Sequence, residues 1–171
     1  MGPNKGQSGH VYTLAQEEAD DWWEVEALYD LCFAPGREAL SSYRLRDGID
    51  PVKGLCLVAR DDLGILAGAI RFWPVSIEDN AVLLLGPIAV HPTRQGEGLG
   101  GLLIENALAR AARDWDRVML VGDAPYYGKF GFTPLVGVDM PPPTNPNRIL
   151  GRALKEGAWS GVTGAVTRAK H

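Results

Sequence analysis

The stretch His91-Pro92-Thr93-Arg94-Gln95-Gly96-Glu97-Gly98-Leu99-Gly100-Gly101 constrains the fold more than any other part of the chain. Four glycines fall within the six residues 96–101, and a backbone without Cβ atoms can approach a ligand closely and expose its N–H groups. Leu99, Leu102, Leu103, Ala107, Leu108 and Ala111 follow at helical spacing, so the loop runs into the start of an amphipathic helix over residues 98–114. A helix start carries N–H groups without intrahelical acceptors and a partial positive charge. Both favour an anion such as pyrophosphate.

At 171 residues with a hydrophobic content of 46%, the chain suits one domain over residues 11–171, with a core that needs neither metal nor disulfide. Residues 1–10 are polar and glycine-containing and are expected to be loose. No apolar run approaches the roughly 20 residues that cross a bilayer, and no secretory pattern opens the chain, so a cytoplasmic protein without a membrane partner is expected. Cys32 and Cys56 lack metal-ligand spacing and read as small apolar residues. The net charge of -4 argues against a nucleic-acid partner, and a homodimer stays open.

Along the chain, residues 11–14 read as a short strand and residues 17–33 as a helix with acidic residues at its start, ended by Pro35-Gly36. Of the adjacent Trp22 and Trp23, one is expected in the core and the other partly exposed, because neighbours on a helix cannot share a direction. A weaker helix is expected over residues 37–46. Strands follow at 55–60 and 65–73, joined by a hairpin turn at Asp61-Asp62-Leu63-Gly64, and at 81–90. Within the last, Gly86-Pro87 predicts a bulge or splay near residues 85–88, since proline removes a ladder donor. A strand at 117–121, a helical turn at Tyr126-Tyr127, a strand at 132–138, a proline-rich loop at 139–148 and a weak final strand within 158–166 complete the order.

Two motifs carry a resemblance. Gln95-Gly96-Glu97-Gly98-Leu99-Gly100 is similar to the Q/R-x-x-G-x-G/A signature of the GNAT superfamily of N-acetyltransferases, and Tyr126-Tyr127-Gly128-Lys129-Phe130-Gly131-Phe132 resembles its second signature. The Val121-Gly122-Asp123 lead-in looks most like the YhbS-like branch of small bacterial acetyltransferases. The resemblance is strong over residues 82–133 and elsewhere extends to the order of elements. It implies an α/β (α+β) fold: a mixed, mainly antiparallel sheet of six or seven strands, splayed centrally and flanked by helices.

The same resemblance implies acetyl-CoA as cosubstrate, with its pyrophosphate on the amides of Gln95, Gly96, Glu97, Gly98, Leu99, Gly100 and Gly101 and its pantetheine arm along Ile88, Ala89 and Val90. An N–H from that strand would stabilise the oxyanion, an effect worth about 2.7–4 kcal/mol for one donor in another enzyme. Tyr127 would protonate the leaving thiolate as general acid, and Tyr126 would pack beside it. The implied reaction is direct acetyl transfer to a primary amine of a small molecule or peptide, with no metal. The general base stays open among Glu78, Asp79, His91, Asp123 and a water chain. The acidic balance favours a cationic amine or peptide N-terminus over tRNA.

Two rival readings exist. A non-catalytic acyl-CoA-binding regulatory module would use the same fold. Gly96 to Gly101 also satisfies G-x-G-x-x-G with Asp123 further on, as a nicotinamide-dependent oxidoreductase requires. Against the latter, residues 91–95 separate the strand from the glycines, and the chain after Asp123 is too short and proline-rich for a doubly wound sheet.

Overall fold

The computed structural model describes residues 3–5, 11–33 and 41–170. Alternation along the strands sets its layers. In β3 (Leu57–Arg60), Leu57 and Ala59 join one apolar cluster and Val58 another, so the sheet is buried on both faces. One face packs against α3 (Leu99–Ala111) through Leu99, Leu103, Ile104 and Ala107. The opposite face receives Val25, Leu28 and Tyr29 of α1 (Trp22–Cys32) at one end and the C-terminal segments at the other.

β1 (Pro3–Lys5) and β2 (Val11–Gln16) form one edge, followed by β3, β4 (Leu66–Ile77), β5 (Asn80–Val90) and β6 (Arg117–Val121). β9 (Ile149–Ala153) lies beyond β6, and β7 (Thr133–Pro134) closes that side. β10 (Gly164–Arg168) pairs antiparallel with β4 and parallel with the short β8 (Val138–Asp139). Among the described residues only β5/β6 and β8/β10 are parallel, which rules out the doubly wound sheet of a dinucleotide fold. Seven of the ten strands have four residues or more, in agreement with the expected mixed, mainly antiparallel sheet.

Several expectations change. Pro3–Lys5 pairs with β2 as an edge strand, while the rest of the segment expected to be loose lies outside the described residues. The expected helix end at Pro35-Gly36 and the start of the 37–46 helix also lie outside them; within them α2 spans only Ser41–Arg44. Trp22 and Trp23 are both exposed, at 45% and 77%, and pack edge-on against each other, because the buried stripe of α1 begins only at Val25. The strand expected at 132–138 breaks into β7 and β8: Pro134 supplies no ladder N–H, and Gly137 turns the chain at φ +76°. β9 was not foreseen from the sequence, and the last strand starts later than expected, after a run of turns over residues 155–161.

Candidate active site

β5 changes partners midway. Leu83 and Leu84 pair in parallel with Val118 and Met119, and beyond them β5 and β6 part. At the parting the β4 ladder skips from Ile70–Ile88 to Phe72–Leu85, so Gly86 and Pro87 together oppose Arg71. This is the expected bulge, placed where a proline cannot continue the ladder. The His91 N–H returns to the Ala67 carbonyl at 2.8 Å. Alternation therefore directs the backbone groups of Ala89 to β4 and those of Ile88 and Val90 away from it, toward the opening. The Val90 carbonyl accepts from Gln95 Nε2 at 3.3 Å, a side-chain bond in place of a strand partner.

The glycine loop continues from this edge. Gly96 and Gly98 have φ of +84° and +81°, a conformation open to glycine, and Gly98 caps α3 without offering a side-chain acceptor. The first N–H groups of α3, on Leu99, Gly100 and Gly101, thus have no side-chain cap. Not every predicted residue faces this region with its side chain. Glu97 turns inward and is 6% exposed, its Oε1 accepting from the Tyr12 hydroxyl at 2.6 Å. Arg94 donates to the same hydroxyl and pairs with Asp61, so β2 and the hairpin turn tie the loop down. Burial, followed by the bond to Glu97, raises the pKa of Tyr12 and keeps it a donor. Leu99 is core.

A cleft of about 570 Å³ fills the space between the parted strands. Leu84, Leu85, Gly86, Pro87 and Ile88 line one side, Leu120, Val121, Gly122 and Asp123 the other, and Tyr126 and Tyr127 of α4 (Ala124–Tyr127) one end. Asp123 orients α4 by accepting from the Tyr126 N–H at 3.1 Å. The Tyr127 ring packs edge-on against Tyr126 and Phe132 and lies over Gly122, where a Cβ would stand 2.5 Å from its Cε2. Burial, then the neighbouring Tyr126, pushes the Tyr127 hydroxyl up to about 12, so it holds its proton through the neutral range. The Tyr126 hydroxyl reaches 3.1 Å from where a Gly100 Cβ would be, which links α4 to the start of α3.

Of the predicted binding residues, Ile88 lines the cleft; Ala89, Val90 and residues 95–101 continue from it along β5 and into α3. The four candidate bases separate. Glu78 and Asp79 occupy the β4–β5 turn, where Asp79 pairs with Lys170. His91 Nδ1 accepts from the Thr93 N–H, and neither turn residue nor His91 lines the cleft. Asp123 does. Sequence reasoning missed Phe33, Tyr43, Arg46 and Arg148, which complete the lining. Their distance in sequence from both motifs left no local signal.

A family model described as an acetyltransferase (GNAT) domain matches residues 53–134. YhbS of Escherichia coli, an uncharacterised N-acetyltransferase, is 30% identical over 152 residues, covering 86% of this chain and 90% of the relative. The crystal structure of E. coli YhbS in complex with CoA superposes with a TM-score of 0.81 at 26% identity, covering 100% of this chain and 94% of that one. A GNAT family acetyltransferase from Brucella melitensis in complex with acetyl-CoA gives a TM-score of 0.59 at 29% identity, covering 78% and 93%.

Proposed function

The chain belongs to the GNAT family of N-acetyltransferases, and from that premise we propose that it binds acetyl-CoA along residues 88–101 and acetylates a primary amine by direct attack, with Tyr127 as general acid. The observation that carries this reading is the continuity of three features: the uncapped start of α3, the unpaired edge of β5 at Ile88 and Val90, and the cleft that Tyr127 lines. Acetyl-CoA supplies an acetyl carbon activated as a thioester. The N–H groups at the start of α3 suit its pyrophosphate, and the outward backbone groups of Ile88 and Val90 suit an arm built from amides. Complexes of the relatives with CoA and acetyl-CoA support the choice of ligand.

In the balanced reaction the amine nitrogen bonds the acetyl carbon, the thioester C–S bond breaks, and sulfur leaves with a proton. Tyr127 is protonated at neutral pH and lies in the cleft, so it can give that proton. The amine must also lose one. Asp123 is the carboxylate among the lining residues, so the proton passes to it or to water in the cleft. The N–H of Ile88 is available to the developing oxyanion.

The test is calorimetric titration with acetyl-CoA, joined to a thiol-release assay over a panel of primary amines. Wild type is expected to bind at micromolar concentration, and Gly98→Glu to lose binding by filling the cradle with a carboxylate. Tyr127→Phe should retain binding and lose about 10²–10⁴-fold in turnover. Absence of binding by folded wild type overturns the assignment. Unchanged turnover in Tyr127→Phe removes the acid role, and thiol release absent from wild type with every amine leaves the binding-module reading standing.

A further inference from the structure

Three buried or half-buried arginines among the described residues are answered by carboxylates. Arg60 pairs with Asp21 and Glu24, Arg71 with Glu17 and Glu26, and Arg94 with Asp61. Arg46 is held by neutral groups instead. Its guanidinium carbon lies 3.7 Å from the ring centroid of Tyr43 and 4.9 Å from that of Trp73. Nη2 donates to the Gly86 carbonyl at 3.3 Å, and Nε is buried without an acceptor among the described residues. Burial moves its pKa below the ordinary value, whereas the other three arginines are shifted upward by their partners. A desolvated cation without a counter-ion is costly, and such costs are kept where function uses them.

Its position gives this cost a meaning. Arg46 lines the cleft at the bulge, and Gly86 stands four residues before Val90, roughly 13 Å along the strand. The cradle at the start of α3 is farther still, so the anionic end of the cosubstrate is on the wrong side to neutralise Arg46. Arg148 lines the same cleft at its exposed rim. Among the described residues the charged ones that line the cleft are therefore Arg46, Arg148 and Asp123, a net positive set inside a chain of net charge -4. Leu84, Leu85 and Leu120 add an apolar wall, and the volume suits a small molecule.

We propose that the acceptor is a small amine carrying its own oxyanion, a carboxylate or a phosphate, which Arg46 binds with Arg148 at the rim while the amine points toward the Tyr127 end. This rests on the acetyl-transfer reading and reverses the cationic acceptor expected from the overall charge. The total counts the whole surface, whereas the acceptor meets only the cleft.

The experiment uses matched pairs with wild-type protein: phenylalanine against 2-phenylethylamine, serine against ethanolamine, and phosphoethanolamine against ethanolamine. Binding is measured by calorimetry with and without CoA, and turnover by thiol release from acetyl-CoA. In at least one pair the oxyanion member is expected to bind at least tenfold tighter and to react with at least tenfold higher kcat/KM. The arm that responds distinguishes carboxylate from phosphate. Arg46→Gln should abolish the preference by raising the acceptor KM while leaving acetyl-CoA affinity unchanged; Arg46→Lys should recover part of it, and Arg148→Gln should weaken it less. A preference below tenfold in every pair overturns the proposal, as does a preference that survives in folded Arg46→Gln. Failure of wild type to bind acetyl-CoA would defeat the transfer reading, while the pairwise binding would still decide the anion pocket.

Discussion

From Asn80 to Leu85, β5 runs through the middle of the sheet; from Gly86 to Val90 it has β4 on one side and a cleft on the other. In the first half Val82, Leu83 and Leu84 are all but inaccessible, and alternate side chains feed the clusters on opposite faces. In the second half Ile88 and Val90 are only half-buried, and side chains take the place of a strand. Arg46 donates to the Gly86 carbonyl, Tyr29 to the Pro87 carbonyl and Gln95 to that of Val90. A sheet edge opened inside a protein needs its carbonyls answered. With Cys32 Sγ, which also donates to the Val90 carbonyl at 3.4 Å, four residues outside β5 answer them and leave the N–H groups of Ile88 and Val90 without a strand partner.

The largest effect expected to break this contrast comes from the far wall of the cleft. In Gly122→Ala the new Cβ would stand 2.5 Å from Tyr127 Cε2 and 2.9 Å from Leu120 Cδ1, so the tyrosine ring must leave its place. Thiol release should fall by about 10²–10³-fold, within the range of a displaced general acid, with acetyl-CoA affinity retained. Wild-type turnover in this variant would show that the position of the ring does not matter.

A smaller effect sharpens the contrast between the halves. Leu84→Ala, in the doubly paired half, is expected to cost about 2–5 kcal/mol of stability, and Ile88→Ala, at the open edge, about 1 kcal/mol. Denaturant midpoints of the two variants check this, and equal losses would mean that the open half is packed as tightly as the closed one.

The smallest effect is alkaline. Tyr127 keeps its proton to about pH 12 in the folded protein, against roughly pH 10 in an unfolded chain. Between those values the unfolded state has shed a proton that the folded state retains, so stability falls as pH rises, by under about 1.4 kcal/mol per pH unit for this group. Tyr127→Phe should flatten that slope in denaturation followed from pH 9 to 11.5. An unchanged slope would assign the alkaline loss to Tyr12, Tyr29 and Tyr126, whose pKa values burial also raises.

What could be read from the sequence was local. The bulge at Gly86-Pro87, the loop with its helix start and the turn before Tyr127 each depend on residues adjacent in the chain, where glycine and proline geometry and apolar period act directly. β9 escaped because Arg148-Ile149-Leu150-Gly151-Arg152-Ala153 is short and follows a proline-rich loop; pairing with β6, rather than its own pattern, makes it a strand. The inward turn of Glu97 escaped for a similar reason: its hydroxyl partner, Tyr12, is 85 residues away.

By itself, then, the sequence determined the run of elements from β2 to α4, the open strand and the glycine loop with its helix start, because those follow from backbone restriction and apolar period over a few residues. Only the tertiary structure decided which charges face the cleft. It brought Arg46 to the carbonyl of Gly86 from 40 residues away, set Arg148 beside the same space and sent Glu78, Asp79 and His91 elsewhere. Long-range packing controls these placements, since the cost of burying a charge depends on every element around it and not on the neighbours in the chain.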